Sequence, residues 1–127
     1  MKFGYTILYV QDVRASVAFY EAAFGLKAKF VHESGDFGEL DTGATALAFS
    51  SHRLLTELNK HPKAADPGGP CFEIALVTDD VAAAVTRAVA AGAALKQPAE
   101  KMPWGQTVAY VVDLDGFLVE ICTPVAA

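Results

Sequence analysis

Two segments of the chain carry the same order of apolar and polar positions. In the first, an apolar strand-like run, 6–10, is followed by apolar residues at helical spacing that end at Gly25. In the second, the run 73–77 is followed by a similar helical pattern that ends at Gly92. Corresponding positions are separated by 67 residues, namely Val10 and Val77, Asp12 and Asp79, and Gly25 and Gly92. The constant offset predicts an internal duplication.

Three strand candidates with turn residues between them follow each predicted helix. They span residues 27–33, 37–41 and 44–50 in the first half, and 94–97, 107–112 and 117–123 in the second. Each half therefore predicts the order strand, helix, strand, strand, strand, with helices near residues 13–24 and 80–91. The predicted fold class is α+β, with two βαβββ modules. Because one helix covers only one face of a small sheet, we expect the two sheets to form a cleft, the usual place for a ligand.

The length of 127 residues is that of a single domain with one core. Within it we expect a first module at 1–50, a linker at 51–70 and a second module at 71–127. Pro62, Pro67 and Pro70 exclude regular structure from most of the linker, while residues 54–58 are compatible with one or two helical turns. A plain connector and a segment that covers the cleft both remain open as its role.

The amino-acid composition and the net charge exclude some kinds of binding partner. A hydrophobic fraction of 53% and a net charge of -5 exclude a disordered chain, and the Lys and Arg residues are too few and too scattered for a nucleic-acid surface. The acidic balance favours neutral or cationic small ligands. No uncharged stretch approaches the roughly 20 residues that cross a bilayer, so no membrane partner is expected. Cys71 and Cys122 form no disulfide framework, which favours reduced thiols in a cytoplasmic protein.

A predicted hairpin at residues 107–123 contains a carboxylate, Glu120, in the middle of an apolar strand. Alternation along the strand places Glu120 on the face opposite Val119 and Ile121. A buried lone carboxylate is costly unless it meets a cation, a donor or a proton, so Glu120 indicates a functional site. The alternative is a strand whose second face is solvated.

Several short motifs occur in a fixed order along nearly the whole chain. They are residues 10–20 followed by Phe24-Gly25-Leu26, then 75–81, Pro103-Trp104-Gly105, Asp113-Leu114-Asp115-Gly116 and Val119-Glu120-Ile121. In this order the chain resembles the vicinal oxygen chelate superfamily, which includes glyoxalase I, bleomycin- and fosfomycin-resistance proteins and extradiol dioxygenases. Leu114 stands where that family usually has proline, which costs preorganisation of the turn rather than the fold.

Metal-dependent members of that superfamily bind a divalent cation through four strand residues, typically His or Gln, Glu, His and Glu. The matching positions here are Tyr5, Ala48, Glu73 and Glu120. Only Glu120 is the family residue at its place, since a phenol is a poor ligand at neutral pH and alanine has no ligating atom. The resemblance therefore implies no resident metal cofactor. The alternative is a weakly bound divalent metal with Glu120, Glu73 and Tyr5 as its ligands.

The first and last strands of each module of this fold are neighbours, so Glu73 and Glu120 should project side by side. Two adjacent carboxylates repel, and the pair should bind a cation or share a proton. As an acid and base they are the candidate catalytic residues. Beside Trp104 and Tyr5 they would equally suit a cationic or hydrogen-bond-donating ligand. Arg53, which follows the fourth strand, could hold an anionic ligand group, although a solvated arginine is the alternative.

Two functions of different class follow. The first is a metal-free protein like the bleomycin-resistance members, which sequesters a small molecule in the cleft. The second is an enzyme of the same superfamily, a lyase, isomerase or dioxygenase, that uses Glu120 and Glu73 as metal ligands or as acid and base. The resemblance further implies a homodimer whose clefts draw on both chains. The small number of good metal ligands favours binding over catalysis.

Overall fold

A computed structural model describes residues 1–125 and divides the chain into two compact units, Met1–Ala64 and Ala65–Ala127. Each unit contains one four-stranded sheet and one long helix. The predicted α+β class with two βαβββ modules is confirmed. None of the helices within residues 1–125 is long and apolar enough to span a membrane.

The first unit has the element order that its periodicity predicts. Its elements are β1 (Tyr5–Val10), α1 (Val13–Phe24), β2 (Lys27–Val31), β3 (Phe37–Asp41), β4 (Ala46–Ser51) and a short helix, α2 (His52–Glu57). The strands lie in the order β1-β4-β3-β2, with β1 parallel to β4 and the other pairs antiparallel. The first and last strands of the unit are therefore neighbours, as expected.

Helix α1 begins and ends where local chemistry dictates. The Asp12 side chain caps it by accepting a hydrogen bond from the Ala15 backbone N–H at 3.1 Å, and Gly25 ends it in the left-handed conformation at φ 70°. One face of α1 covers the sheet, where the Tyr20 ring meets Phe49 at a centroid distance of 5.1 Å. Gly38 permits this approach, because a Cβ there would lie only 3.0 Å from a methyl group of Val13.

The second unit repeats the arrangement. Its elements are β5 (Glu73–Val77), α3 (Val81–Ala90), β6 (Ala94–Lys101), β7 (Thr107–Val112) and β8 (Leu118–Cys122). The strand order is β5-β8-β7-β6, with β5 parallel to β8. Helix α3 packs against β6, β7 and β8, over a core in which alternate strand residues are almost fully buried. These residues are Ala109, Val111, Val119 and Ile121.

The predicted helix positions are confirmed, but the repeat is not perfectly regular. The cap of α3 is Asp80, whose side chain accepts from the Ala83 N–H at 3.0 Å, and not Asp79. The caps Asp12 and Asp80 are therefore 68 positions apart, one more than the 67 read from the sequence. Two adjacent aspartates offer the same side chain, and only the backbone geometry decides which one caps the helix.

Two further boundaries differ from expectation. Strand β6 continues to Lys101, well past the predicted end at residue 97, because it is an edge strand with register shifts, where Pro98 is tolerated. In the predicted linker, a helix forms at His52–Glu57 rather than at 54–58, since the Ser51 hydroxyl caps it by accepting from Leu54 N–H at 3.0 Å.

The end of the predicted linker lies against the second unit. The Lys96 ammonium donates to the Pro67 carbonyl at 2.8 Å. At the β7–β8 turn, a Cβ added to Gly116 would lie 2.9 Å from the carbonyl oxygen of Ala65. A glycine is therefore required at position 116 both by this close backbone approach and by its φ of 93°.

Candidate functional site

Each sheet has one face covered by its long helix and an opposite face that we call the helix-free face. In the second unit, the alternation of β8 turns Val119 and Ile121 toward the helix side and Glu120 toward the helix-free face. Strand register places Tyr110 of β7 directly opposite Glu120, and Ala75 of β5 directly opposite it on the other side. The carboxylate singled out by sequence is therefore at the centre of this face.

Glu73 and Glu120 form an interacting pair of acidic side chains. Glu73 is the exposed first residue of β5, and Glu120 is half-buried in β8. The two side chains are close enough to interact, and the pKa of Glu120 is raised by its burial, by hydrogen bonding with Glu73 and by the negative charge of Glu73. Protonation of either carboxyl allows the two to share a hydrogen bond, whereas two ionised carboxylates repel each other. The predicted proximity is confirmed, whereas the role of the pair stays a prediction.

Tyr110 belongs to the same cluster and was not predicted. The pKa of its phenol is raised above the ordinary 10.0, mainly by burial and then by the charges of Glu120 and Glu73. The sequence signal that could have identified Tyr110 is the turn of the hairpin, which sets the register of β7 and β8. The Asp113 carboxylate accepts from the N–H groups of Asp115 at 2.9 Å and Phe117 at 2.8 Å, which fixes the turn and hence the register that pairs Tyr110 with Glu120.

Trp104 lies in the turn between β6 and β7. Its indole ring is exposed, and hydrogen bonds fix its position. The indole N–H donates to Gln106 Oε1 at 2.9 Å, and Gln106 Nε2 donates to the Thr123 carbonyl at 2.8 Å. The Trp104 side chain remains 63% exposed, so most of the ring is open to contact. Next to Thr123, burial raises the pKa of the Cys122 thiol, and the charge of Glu120 raises it further.

The helix-free face of the first unit carries a different set of residues at equivalent positions. Tyr5, like Glu73, is the first residue of its strand, and it is 61% exposed. Ala48, like Glu120, lies in the last strand, and it is fully buried. Glu39 lies directly opposite Ala48, as Tyr110 lies opposite Glu120. In the second unit the carboxylate, Glu120, is on the last strand, β8. In the first unit the carboxylate, Glu39, is on β3, the strand next to the last strand, β4.

The Arg53 guanidinium is paired with carboxylates of its own unit. It forms ion pairs with Asp36 and with Glu57, the latter at 3.7 Å. Hydrogen bonds from Ser51 and Arg53 lower the pKa of Asp36, the Ser51 bond being the larger cause, against the opposing effect of burial. These contacts tie the β2–β3 turn to the start of α2. Ligand binding by Arg53 stays a prediction, and its observed contacts are those of a structural residue.

The four family metal positions do not fit a divalent cation. In the second unit two of the positions hold acidic side chains that interact with each other, and in the first the positions hold an exposed phenol and an alanine methyl group. Residues 1–125 contain no group of three or more His, Cys, Asp or Glu residues placed to hold a metal ion. His52 is engaged elsewhere, since its ring nitrogens lie 3.1 Å from Gln11 Nε2 and 3.2 Å from the Tyr9 carbonyl oxygen.

Known structures and sequences place this arrangement in a family. The chain is similar to a glyoxalase-related enzyme from Fulvimarina pelagi, with 28% identity, coverage of 97% of this chain and 88% of that one, and a TM-score of 0.82. It is also similar to a protein of unknown function from Agrobacterium tumefaciens str. C58, with 29% identity, coverage of 98% and 94%, and a TM-score of 0.78. A family enzyme from Burkholderia phytofirmans PsJN, at 24% identity, coverage of 96% and 97% and a TM-score of 0.83, shares the fold.

A comparison with proteins of curated function gives no significant match. The sequence profile of one family, in contrast, matches residues 2–121, which is nearly the entire chain. The chain belongs to the Glyoxalase/Bleomycin resistance protein/Dioxygenase superfamily.

Proposed function

We propose that this protein binds a small organic molecule without a divalent metal, as a binding protein of the bleomycin-resistance type. The observation that carries the proposal is the interacting pair of Glu73 and Glu120, which lie on adjacent strands at the helix-free face of the second unit. A proton held between two carboxyls is readily replaced by a ligand group that donates hydrogen bonds to both. The pair therefore suits an ammonium, amidinium or amide group.

The surroundings of the pair support an amphipathic ligand. Ala75 and Leu118 lie beside the carboxyls on the same face, and Tyr110 adds a phenol that can donate or accept. Trp104 offers an exposed, hydrogen-bonded ring that suits an aromatic or cationic part of a ligand. Few polar groups among apolar ones are typical of small-molecule sites.

A thermal-shift screen tests the proposal. Wild-type protein is screened against small aromatic amines, amidines and amides, and each molecule that raises Tm is repeated in chelator and with Glu120→Gln and Glu73→Gln. Glu100→Gln is the matched control, because Glu100 is an exposed glutamate on β6 of the same unit. We expect the shift to survive chelator and Glu100→Gln, and to change in both site variants. A shift that depends on added metal, or that is equal in all variants, contradicts the proposal.

A second candidate function is favoured by the raised pKa of Glu120. A carboxyl that stays protonated above its usual range can act as a general acid, with Glu73 as the partner base. The reaction would be a proton transfer at a carbon or oxygen of the bound molecule. Each ligand from the screen is incubated with protein in D2O and followed by NMR. Deuterium incorporation or product formation that is lost in Glu120→Gln distinguishes an enzyme from a sequestering protein.

Homodimerisation is a further part of the proposal. Strand β1 is an edge strand that contains no charged residue, and four apolar side chains in or next to it are exposed. They are Phe3, Tyr5, Ile7 and Tyr9. Such a surface on an uncharged edge favours association with a second copy. Light scattering at micromolar protein concentration should give the mass of a dimer, and a monomer would contradict this part.

A further inference from the structure

On the helix-free face of the first unit, Glu39 is a carboxylate that is almost completely buried. It is 6% exposed, and its closest charged partner is the Lys29 ammonium, whose Nζ lies 3.1 Å from Glu39 Oε2. The Lys29 side chain itself is 62% exposed. A buried carboxylate without a partner is unfavourable, and Lys29 is the cation that contacts Glu39 in this unit.

A β-bulge brings Lys29 to this position. The register between β2 and β3 shifts at Ala28 and Phe30, so Phe30 rather than Lys29 lies directly opposite Glu39. Lys29 is the extra residue of the bulge. Bulges change the direction of a side chain, and they often occur next to functional sites. Phe30 and Phe37 form a tilted ring pair with centroids 5.9 Å apart, so the ion pair lies beside an aromatic surface.

Glu39 also has a defined relation to the family metal position. It lies directly opposite Ala48, where metal-dependent relatives have a glutamate. Opposed residues on antiparallel strands have Cβ atoms about 5 Å apart, so a glutamate side chain reaches over its neighbour. Ala48 ends at its Cβ, so no second carboxylate lies opposite Glu39 on β4. The carboxylate of this sheet, Glu39, therefore lies on β3, one strand away from the family position on β4, and Lys29 contacts it.

We propose that the Lys29 ammonium is an internal cation that replaces a divalent metal as the counter-charge of the first unit's carboxylate. This inference concerns the first unit alone and does not depend on the ligand proposed for Glu73 and Glu120. It explains in physical terms why the metal-ligand positions Tyr5 and Ala48 are free to lack ligating groups. The charge that a metal would neutralise is already neutralised by the chain.

The test compares Lys29→Met with a matched control, Lys27→Met, which removes an exposed lysine from the same strand. Thermal unfolding is measured with chelator and with millimolar Mg²⁺, Ca²⁺, Mn²⁺ or Zn²⁺. Wild type and Lys27→Met should show no metal-dependent change in Tm. Lys29→Met should have a lower Tm than either, and a divalent ion should restore part of the loss. Lys29→Arg, which keeps the cation, should behave like wild type.

The double variant Lys29→Met, Glu39→Gln distinguishes charge compensation from packing. Removing the carboxylate charge should recover most of the lost Tm and abolish the metal response, even where Lys29→Met alone fails to fold. The inference is overturned if the double variant is as unstable as Lys29→Met. It is also overturned if wild type is itself stabilised by a divalent ion and Glu39→Gln removes that effect.

Discussion

Tyr110 and Glu120 lie directly opposite each other on adjacent antiparallel strands of the second unit. Each is half-buried, and the charge of Glu120 contributes to the raised pKa of the tyrosine. The charge of Glu73, the acidic neighbour of Glu120, also raises the pKa of Tyr110. The three side chains are therefore one electrostatic cluster, and a change of charge at one of them is felt by the others.

Glu120→Gln should stabilise the protein at neutral pH by roughly 0.2–1 kcal/mol, because it removes a like-charge contact with Glu73. The folded-state pKa of Glu120 is raised, so its contribution to stability is fully present below the ordinary value of 4.5 and is lost as pH rises through the folded pKa. The advantage of the variant should accordingly grow with pH above about 4.5. Urea unfolding of both proteins across this pH range measures it, and an advantage that shrinks with rising pH would be the contrary result.

In an alkaline titration, Tyr110 should ionise above the ordinary tyrosine value of 10.0. Tyr110→Phe identifies its contribution to the tyrosinate absorbance, since it removes only the hydroxyl. In Glu120→Gln that contribution should move to lower pH, because one of the charges that disfavour tyrosinate is gone. The shift should be partial, as burial is the larger cause. An unchanged titration in Glu120→Gln would show that the two groups are not coupled.

Treatment with a chelator should not change the stability or the ligand affinity of the protein. Dialysis against chelator should change neither Tm nor the affinity for molecules found in the thermal-shift screen, because fewer than the roughly three good ligands of a catalytic site are present at the family positions. Elemental analysis before and after dialysis is the measurement. A stoichiometric metal that survives the chelator and is lost in Glu120→Gln would refute this prediction.

The assignment of the α3 cap can be tested by a pair of adjacent substitutions. Asp80→Ala should reduce the free energy of unfolding by about 1 kcal/mol, since the Ala83 N–H loses its acceptor. Asp79→Ala is the control and should have a much smaller effect. Denaturant unfolding measures both, and a larger loss in Asp79→Ala would return the cap to the position read from the sequence repeat.

Arg53→Met separates a structural from a ligand-binding role. Loss of the ion pairs with Asp36 and Glu57 should cost no more than about 1 kcal/mol, because Arg53 is largely exposed. Affinity for molecules that respond to Glu120→Gln should be unchanged. Parallel unfolding and binding measurements check this, and a selective loss of affinity would assign Arg53 to the ligand site.

The predicted architecture depended on signals that are local in sequence. Apolar spacing, an aspartate before each helix and Gly25 after the first gave both long helices, because these features act within one or two turns. The Asp113–Gly116 turn likewise fixed the hairpin around Glu120. Where two neighbouring residues offered the same chemistry, the repeat spacing aligned Asp79 with the cap Asp12, whereas the structure has Asp80 as the cap of α3.

The sequence by itself determined the element order and the family, and it singled out Glu120 as a candidate, since each depends on residue type and spacing along the chain. Only the tertiary structure decided which side chains meet. Tyr110 joined Glu120 through strand register, Arg53 was drawn to Asp36, and a bulge brought Lys29 to Glu39. These contacts join residues that are distant in sequence or depend on the local direction of the backbone, and hydrophobic periodicity carries no information about either.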